Sequence, residues 1–141
     1  MTKNVAQAHW EGPLLSGVGQ VELASSKLAK YPIGWAARAE HVEGATNPEE
    51  LMAAAHATCY SMALANGLAG NGTSPESIDT TVEIGFDPRV GLTGSHITVV
   101  AVVPDIDAEQ FLKFAEDAKS NCPVSKALAG IEITLDATLK A

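Results

Sequence analysis

Two thiols carry most of the chemical potential of this chain: Cys59 and Cys122 are its only cysteines. They form no Cys-x-x-Cys pair, so neither a thioredoxin-type motif nor a standard zinc cluster is present. A free cysteine with nothing around it is simply a small apolar residue. Here each has a defined helical context. Cys122 precedes Pro123, which suits the first position of a helix, so Cys122 falls at a helix cap where the dipole favours a thiolate. Lys119 and Lys126 are near it in sequence. Cys59 sits in mid-helix and gets no help from a helix end, so it needs a cation to ionise near neutral pH. Arg38, one of two arginines, is the candidate, with a plain surface arginine as the alternative. Glu49 is placed to orient Arg38 through a paired contact, or to serve only as a dipole partner in a first helical turn. Ten residues of helix separate Glu49 from Cys59 by about 15 Å, so the two cannot meet within one chain unless the helix begins later than Pro48. A two-fold pair of antiparallel helices would bring Glu49 of one copy to Cys59 of the other. His56, three residues before Cys59, offers half a metal site or a base beside a nucleophile. A packed or interface histidine is the simpler reading. His9, His41 and His96 show no partner in the sequence.

The element that must hold Cys59 starts at Asn47-Pro48-Glu49-Glu50, where Asn47 caps, Pro48 opens the first turn and Glu50 reaches back. Leu51, Ala54, Ala55, Thr58, Met62 and Ala65 form its expected apolar face, and Gly67 or Gly70 its stop. Its many alanines let another backbone pack closely, as at a domain centre or a subunit interface. Before it, residues 5–12, 17–25 and 33–39 read as short strands, the last with Arg38 near its end. After it come strands over 78–86 and 95–103 and a helix from Ala108 to Lys119, capped by Asp105 or Asp107. Its expected buried stripe is Phe111, Leu112, Ala115 and Ala118. A short helix over 123–129 precedes a last alternating strand through Ile131, Ile133, Leu135, Ala137 and Leu139. The order is an α+β arrangement in a single domain spanning 1–141.

With 141 residues, 46% of them hydrophobic, the chain has ample material for one core. The balance of 17 acidic against 9 basic residues, net −8, leaves no basic cluster, so nucleic acid and anionic membranes are poor partners. No apolar run approaches the length of a membrane span, and residues 1–11 lack the apolar core of a signal peptide. These features point to a cytoplasmic protein, a compartment in which thiols stay reduced. Gly67 to Gly72 has no phosphate-loop lysine, so nucleotide binding is unsupported.

Five segments taken together resemble the osmotically inducible protein C family, the sister of the organic hydroperoxide resistance proteins. They are His9-Trp10-Glu11-Gly12, Thr46-Asn47-Pro48-Glu49-Glu50-Leu51, Ala53-Ala54-Ala55-His56-Ala57 with Cys59, Cys122-Pro123-Val124-Ser125-Lys126, and Ile133-Thr134-Leu135-Asp136. The first and last look more like the former branch. The resemblance implies antiparallel sheets around a central buried helix in an intertwined homodimer, and a thiol peroxidase acting on organic hydroperoxides. By that resemblance Cys59 is the peroxidatic cysteine, Cys122 the resolving cysteine, and Arg38 and Glu49 support the thiolate. Met62 and Phe114 are candidates to line a pocket for the substrate's organic tail. The chemistry needs no metal, haem or flavin, and a dithiol or lipoyl-type reductant would close the cycle. A non-enzymatic binder of a small apolar ligand, or a thiol redox sensor, are the competing readings.

Overall fold

A computed structural model describes residues 1–140. Its elements run β1 (Gln7–Glu11), β2 (Val18–Glu22), β3 (Lys30–Ile33), α1 (Trp35–Ala39), α2 (Pro48–Gly70), β4 (Ser77–Asp87), β5 (Gly91–Val102), α3 (Ala108–Asn121), α4 (Pro123–Ala127) and β6 (Ile133–Lys140). They form two three-stranded sheets, β1-β2-β3 and β4-β5-β6. The α+β class is as expected, but one strand direction is not. β6 pairs with β5 in parallel, from Ser95–Ile133 to Val102–Lys140. The excursion through α3 and α4 returns the chain to the end of the sheet where β5 began, which a tight hairpin cannot do. The β1-β2-β3 pairs and β4-β5 are antiparallel.

The core lies between β4-β5-β6 and the helices. Ile97, Val99 and Ala101 of β5 meet Tyr60, Leu64 and Leu68 of α2 and Phe111, Ala115 and Ala118 of α3. Burying each of the larger apolar side chains among these is worth about 1.5–3 kcal/mol, so this layer supplies much of the stability. Close packing of α2 on α3 is set at Gly67, where an added Cβ would stand 3.3 Å from the Phe114 ring. Leu112 was expected in the α3 stripe but is 47% exposed. Asp107, not Asp105, caps α3 by accepting from the Gln110 N–H at 2.8 Å.

The expected apolar face of α2 is the wrong one for this chain. Its buried residues are Glu49, His56, Tyr60, Leu64 and Leu68, whereas Ala54, Ala55 and Thr58 are exposed and Met62 is 68% exposed. The helix is apolar on nearly every side, so periodicity alone could not choose a face. Segment 33–39 is also corrected. Only Ile33 belongs to a strand, and Trp35 to Ala39 turns into a short helix, with Glu40 N–H donating to the Ala36 carbonyl at 2.8 Å. Three alanines favour the helical turn once Gly34 ends the strand. Arg38 therefore projects from α1 and not from a strand end. Among the described residues, no helix is long and apolar enough to cross a membrane.

Candidate active site

The four residues singled out in the sequence fall into two pairs. The first pair is built at the start of α2. Asn47 caps the helix by accepting from the Glu50 N–H at 2.8 Å, and its amide donates to the Ala37 carbonyl at 2.8 Å. That second bond ties α1 to α2. Thr46 adds to the clamp, since its N–H donates to the Pro32 carbonyl at 2.8 Å and its hydroxyl donates to the Glu50 carboxylate. Glu50 is thus held by Thr46 instead of reaching back to the cap.

Glu49, 6% exposed, faces Arg38 across this junction. Arg38 Nε donates to both carboxylate oxygens, at 3.0 and 3.2 Å, and a terminal guanidinium nitrogen lies 2.8 Å from Oε1. Such two-pronged contacts fix orientation as well as charge. The guanidinium also lies over the Phe86 ring, 4.2 Å from its centroid, and Trp35 packs edge-on against the same ring. The β4–β5 ladder slips at Gly85–Phe86, and Phe86 beyond the slip forms this platform. Ala53, Val82 and Ile84 add apolar walls to the groove around Arg38 and Glu49.

The second pair is the cysteines. Cys59, partly exposed in mid-α2, lies against Cys122, which is fully buried at the junction of α3 and α4. Burial pushes the Cys59 thiol up, its contact with Cys122 adds to this, and only the Val124 N–H opposes it. Burial also raises Cys122. Donors outweigh it there: the Cys59 thiol, the N–H and hydroxyl of Ser125 and the Val124 N–H together hold Cys122 below the ordinary thiol value. Neither lysine takes part. Lys119 is 3.1 Å from Glu116 in its own helix, and the backbone and hydroxyl groups of Val124 and Ser125 supply the stabilisation.

Within one chain the two pairs stay apart. Glu49 and Cys59 lie ten residues along the same unbroken helix, about 15 Å at its rise per residue. Among the described residues, no cation offsets the burial of Cys59. Of the candidate pocket residues, Met62 is on the open face of α2, whereas Phe114 closes on Gly67, two turns beyond Cys59.

His56 is the packed histidine that its position suggested. It is fully buried, with Nδ1 2.8 Å from Ser95 Oγ and Nε2 2.8 Å from Ser125 Oγ. Both ring nitrogens are occupied, so neither serves a metal or Cys59. No cluster able to hold a metal ion occurs among the described residues. Sequence reasoning missed both serines as partners. The available hint was that Ser125 lies in the same short segment as Cys122.

Burial lowers the His56 pKa below the ordinary imidazole value, so the folded protein keeps it neutral. The unfolded chain protonates it below about pH 6.5. Stability from this residue is therefore complete above that pH and is lost as pH falls towards the lowered folded value. The expected contribution is a slope of at most about 1.4 kcal/mol per pH unit. Denaturant melts of the unaltered protein and of His56→Gln between pH 7 and 5 should differ by this slope. Identical slopes would show that His56 titrates alike in both states.

Fold and site together define an α+β protein with two reduced thiols in contact, one open and one enclosed. The sequence profile of the family described as OsmC-like protein matches residues 41–136. The chain is 47% identical over 139 residues to the Peroxiredoxin OsmC of Escherichia coli strain K12, covering 95% of this chain and 94% of that one. It is 35% identical over 99 residues to the Organic hydroperoxide resistance protein-like 1 of Staphylococcus saprophyticus, covering 67% and 70%. The crystal structure of the organic hydroperoxide resistance protein OhrB of Bacillus subtilis superposes with a TM-score of 0.65 at 25% identity, covering 96% of this chain and 98% of that one. This chain belongs to the OsmC-like family.

Proposed function

We propose that this protein is a cysteine-based peroxidase that reduces organic hydroperoxides and, more weakly, hydrogen peroxide. The observation that carries the reading is the contact between a partly exposed Cys59 and an enclosed Cys122. Only Cys59 is open to a bulky peroxide, so it is the attacking sulfur. Its thiolate takes the terminal oxygen of the hydroperoxide; the O–O bond breaks and, after protonation, an alcohol leaves. Cys59 is left as a sulfenic acid. The Cys122 sulfur then attacks the Cys59 sulfur, an S–S bond forms, and the sulfenyl oxygen leaves as water. A dithiol of lipoyl type reduces that disulfide by exchange through a mixed disulfide. The names of the relatives, a peroxiredoxin and hydroperoxide resistance proteins, support the same reaction class.

The working unit is an intertwined homodimer. Two features of the single chain support it. The sheet β1-β2-β3 buries only Val21 within its strands, and Trp10, Val18 and Tyr31 stay exposed. Such a sheet is marginal without something against it. The exposed face of α2, with Ala54, Ala55, Thr58 and Met62, also lacks a cover. An antiparallel pairing of two α2 helices would set Arg38 and Glu49 of one copy beside Cys59 of the other. That arrangement supplies the cation which Cys59 lacks in its own chain, and shifts the negative charge from Cys122 to Cys59. The apolar wall of Ala53, Val82 and Phe86 beside Arg38 suits an organic tail.

Steady-state rates with a dithiol reductant test the substrate class. Tert-butyl and fatty-acid hydroperoxides should be turned over faster than hydrogen peroxide; a preference for hydrogen peroxide would contradict the reading. Removing the second sulfur gives an independent check. Cys122→Ser should leave the Cys59 sulfenic acid unresolved, and with excess hydroperoxide mass spectrometry should show it carried to sulfinic and sulfonic acids. An unchanged mass at Cys59 in this variant would remove Cys122 from the cycle.

A further inference from the structure

The network behind Cys122 is larger than the two-thiol cycle requires. Ser95 on β5, His56 on α2 and Ser125 on α4 form one continuous hydrogen-bonded chain, with 2.8 Å at each histidine link, and its Ser125 end stands three residues after Cys122 at the start of α4. The N–H and hydroxyl of Ser125 are near enough to the Cys122 sulfur to favour its charged form. These four residues are shut off from solvent: Cys122 and His56 are 0% exposed, Ser95 1% and Ser125 4%.

The direction of the bonds follows from counting donors. A neutral imidazole has one N–H and one acceptor nitrogen. A thiolate accepts only. When Cys122 carries negative charge, the Ser125 hydroxyl must donate to it, so Ser125 Oγ accepts from His56 Nε2–H. Nδ1 is then the acceptor and takes the Ser95 hydroxyl. Every hydrogen in the chain then points toward the sulfur, and the Ser95 hydroxyl, which can donate, accommodates the tautomer that this requires.

We propose that Ser125 is a further catalytic residue, and His56 a positioning residue acting through it, for formation of the Cys59–Cys122 disulfide. The proposal rests on the peroxidase reading above. As Cys122 attacks the Cys59 sulfur, its S–H proton passes to the departing sulfenyl hydroxyl, which leaves as water. The S–O bond breaks and the S–S bond forms; the Cys122 sulfur is oxidised and the Cys59 sulfur reduced. Charge builds on Cys122 as that proton departs. The Ser125 hydroxyl, held in donor orientation by His56, stabilises it at the one moment it is needed. The same network does nothing for the first step, in which Cys59 meets peroxide.

The test separates the two steps. Reduced protein is mixed with one equivalent of tert-butyl hydroperoxide and quenched over time. Sulfenic acid is trapped with dimedone, and disulfide is read by non-reducing peptide mapping. The quantity of interest is the rate of disulfide formation divided by the rate of sulfenic acid formation. In Ser125→Ala this ratio should fall tenfold or more, with dimedone-trapped Cys59 accumulating, and Ser125→Thr, which keeps the hydroxyl, should restore it. His56→Leu should lower the ratio likewise. His56→Gln should restore it, because its carboxamide accepts from Ser95 and donates to Ser125. The histidine pair also serves if Ser125→Ala does not fold. A fall of less than tenfold in the folded variants overturns the proposal while leaving the peroxidase intact. An unaltered protein that consumes no hydroperoxide overturns the peroxidase reading itself, and this inference with it.

Discussion

Replacing Cys59 by serine is expected to abolish hydroperoxide turnover, with a loss of at least about a thousandfold in kcat/KM. The reasoning is chemical before it is structural. A thiolate is a soft nucleophile that reacts at peroxide oxygen, whereas an alcohol stays protonated at neutral pH and cannot form a sulfenic acid. Cys122 is no substitute. It has the lower thiol pKa, but it is fully buried beneath the α3–α4 junction and no hydroperoxide can reach it. Thermal melting should be near that of the unaltered protein, since Cys59 is only partly buried and serine is close in size. Turnover within tenfold of the unaltered enzyme would move the nucleophile elsewhere.

Mixing two inactive variants should restore activity. Arg38→Met alone is expected to lose ten- to a thousandfold, because a neighbouring cation lowers a thiol pKa by about 1–3 units and so sets the thiolate fraction near neutral pH. Glu49 holds that cation, and its side chain is nearly enclosed, so Glu49→Gln should weaken activity in the same direction. Cys59→Ser has an intact Arg38, and Arg38→Met has an intact Cys59. If each centre combines Cys59 of one copy with Arg38 of the other, a mixed dimer holds one complete centre and one doubly broken one. Unfolding and refolding the two variants together should then recover up to about a quarter of the unaltered activity per chain, since half of the dimers are mixed. Were Arg38 to serve Cys59 in its own chain, the mixture would be as inactive as its components.

The parts of the fold that were legible in the sequence are those set by local rules. Asn47-Pro48 announces the start of α2, the Asp105–Asp107 pair that of α3, and the alternation from Ile133 to Leu139 gives β6 its inward face. What was not legible depends on what an element packs against. The face of α2 was misjudged because alanine fits an interior and a surface equally well, while its buried stripe contains His56 and Tyr60. Both are polar types whose partners, Ser125 with Ser95 and the Ala115 carbonyl, are remote in sequence. Segment 33–39 was misread because a short apolar run fits a strand and a single helical turn alike. The parallel direction of β6 is a property of the crossover, and its own residues do not record it. At the site, the residue types identified Cys59, Cys122, Arg38 and Glu49 as candidates, and helix rise alone separated Glu49 from Cys59. The contact between the cysteines had no local signal, because it depends on how the α3–α4 junction docks on the middle of α2.

The most direct test is to add one equivalent of tert-butyl hydroperoxide to the fully reduced protein, count free thiols, and map the peptides without reduction. The account predicts that both thiols vanish together, that one equivalent of tert-butanol appears, and that the peptides bearing Cys59 and Cys122 are joined within one chain. Two thiols still titrating after the peroxide has been offered, or a bridge between Cys59 residues of two chains in place of the internal one, would contradict it.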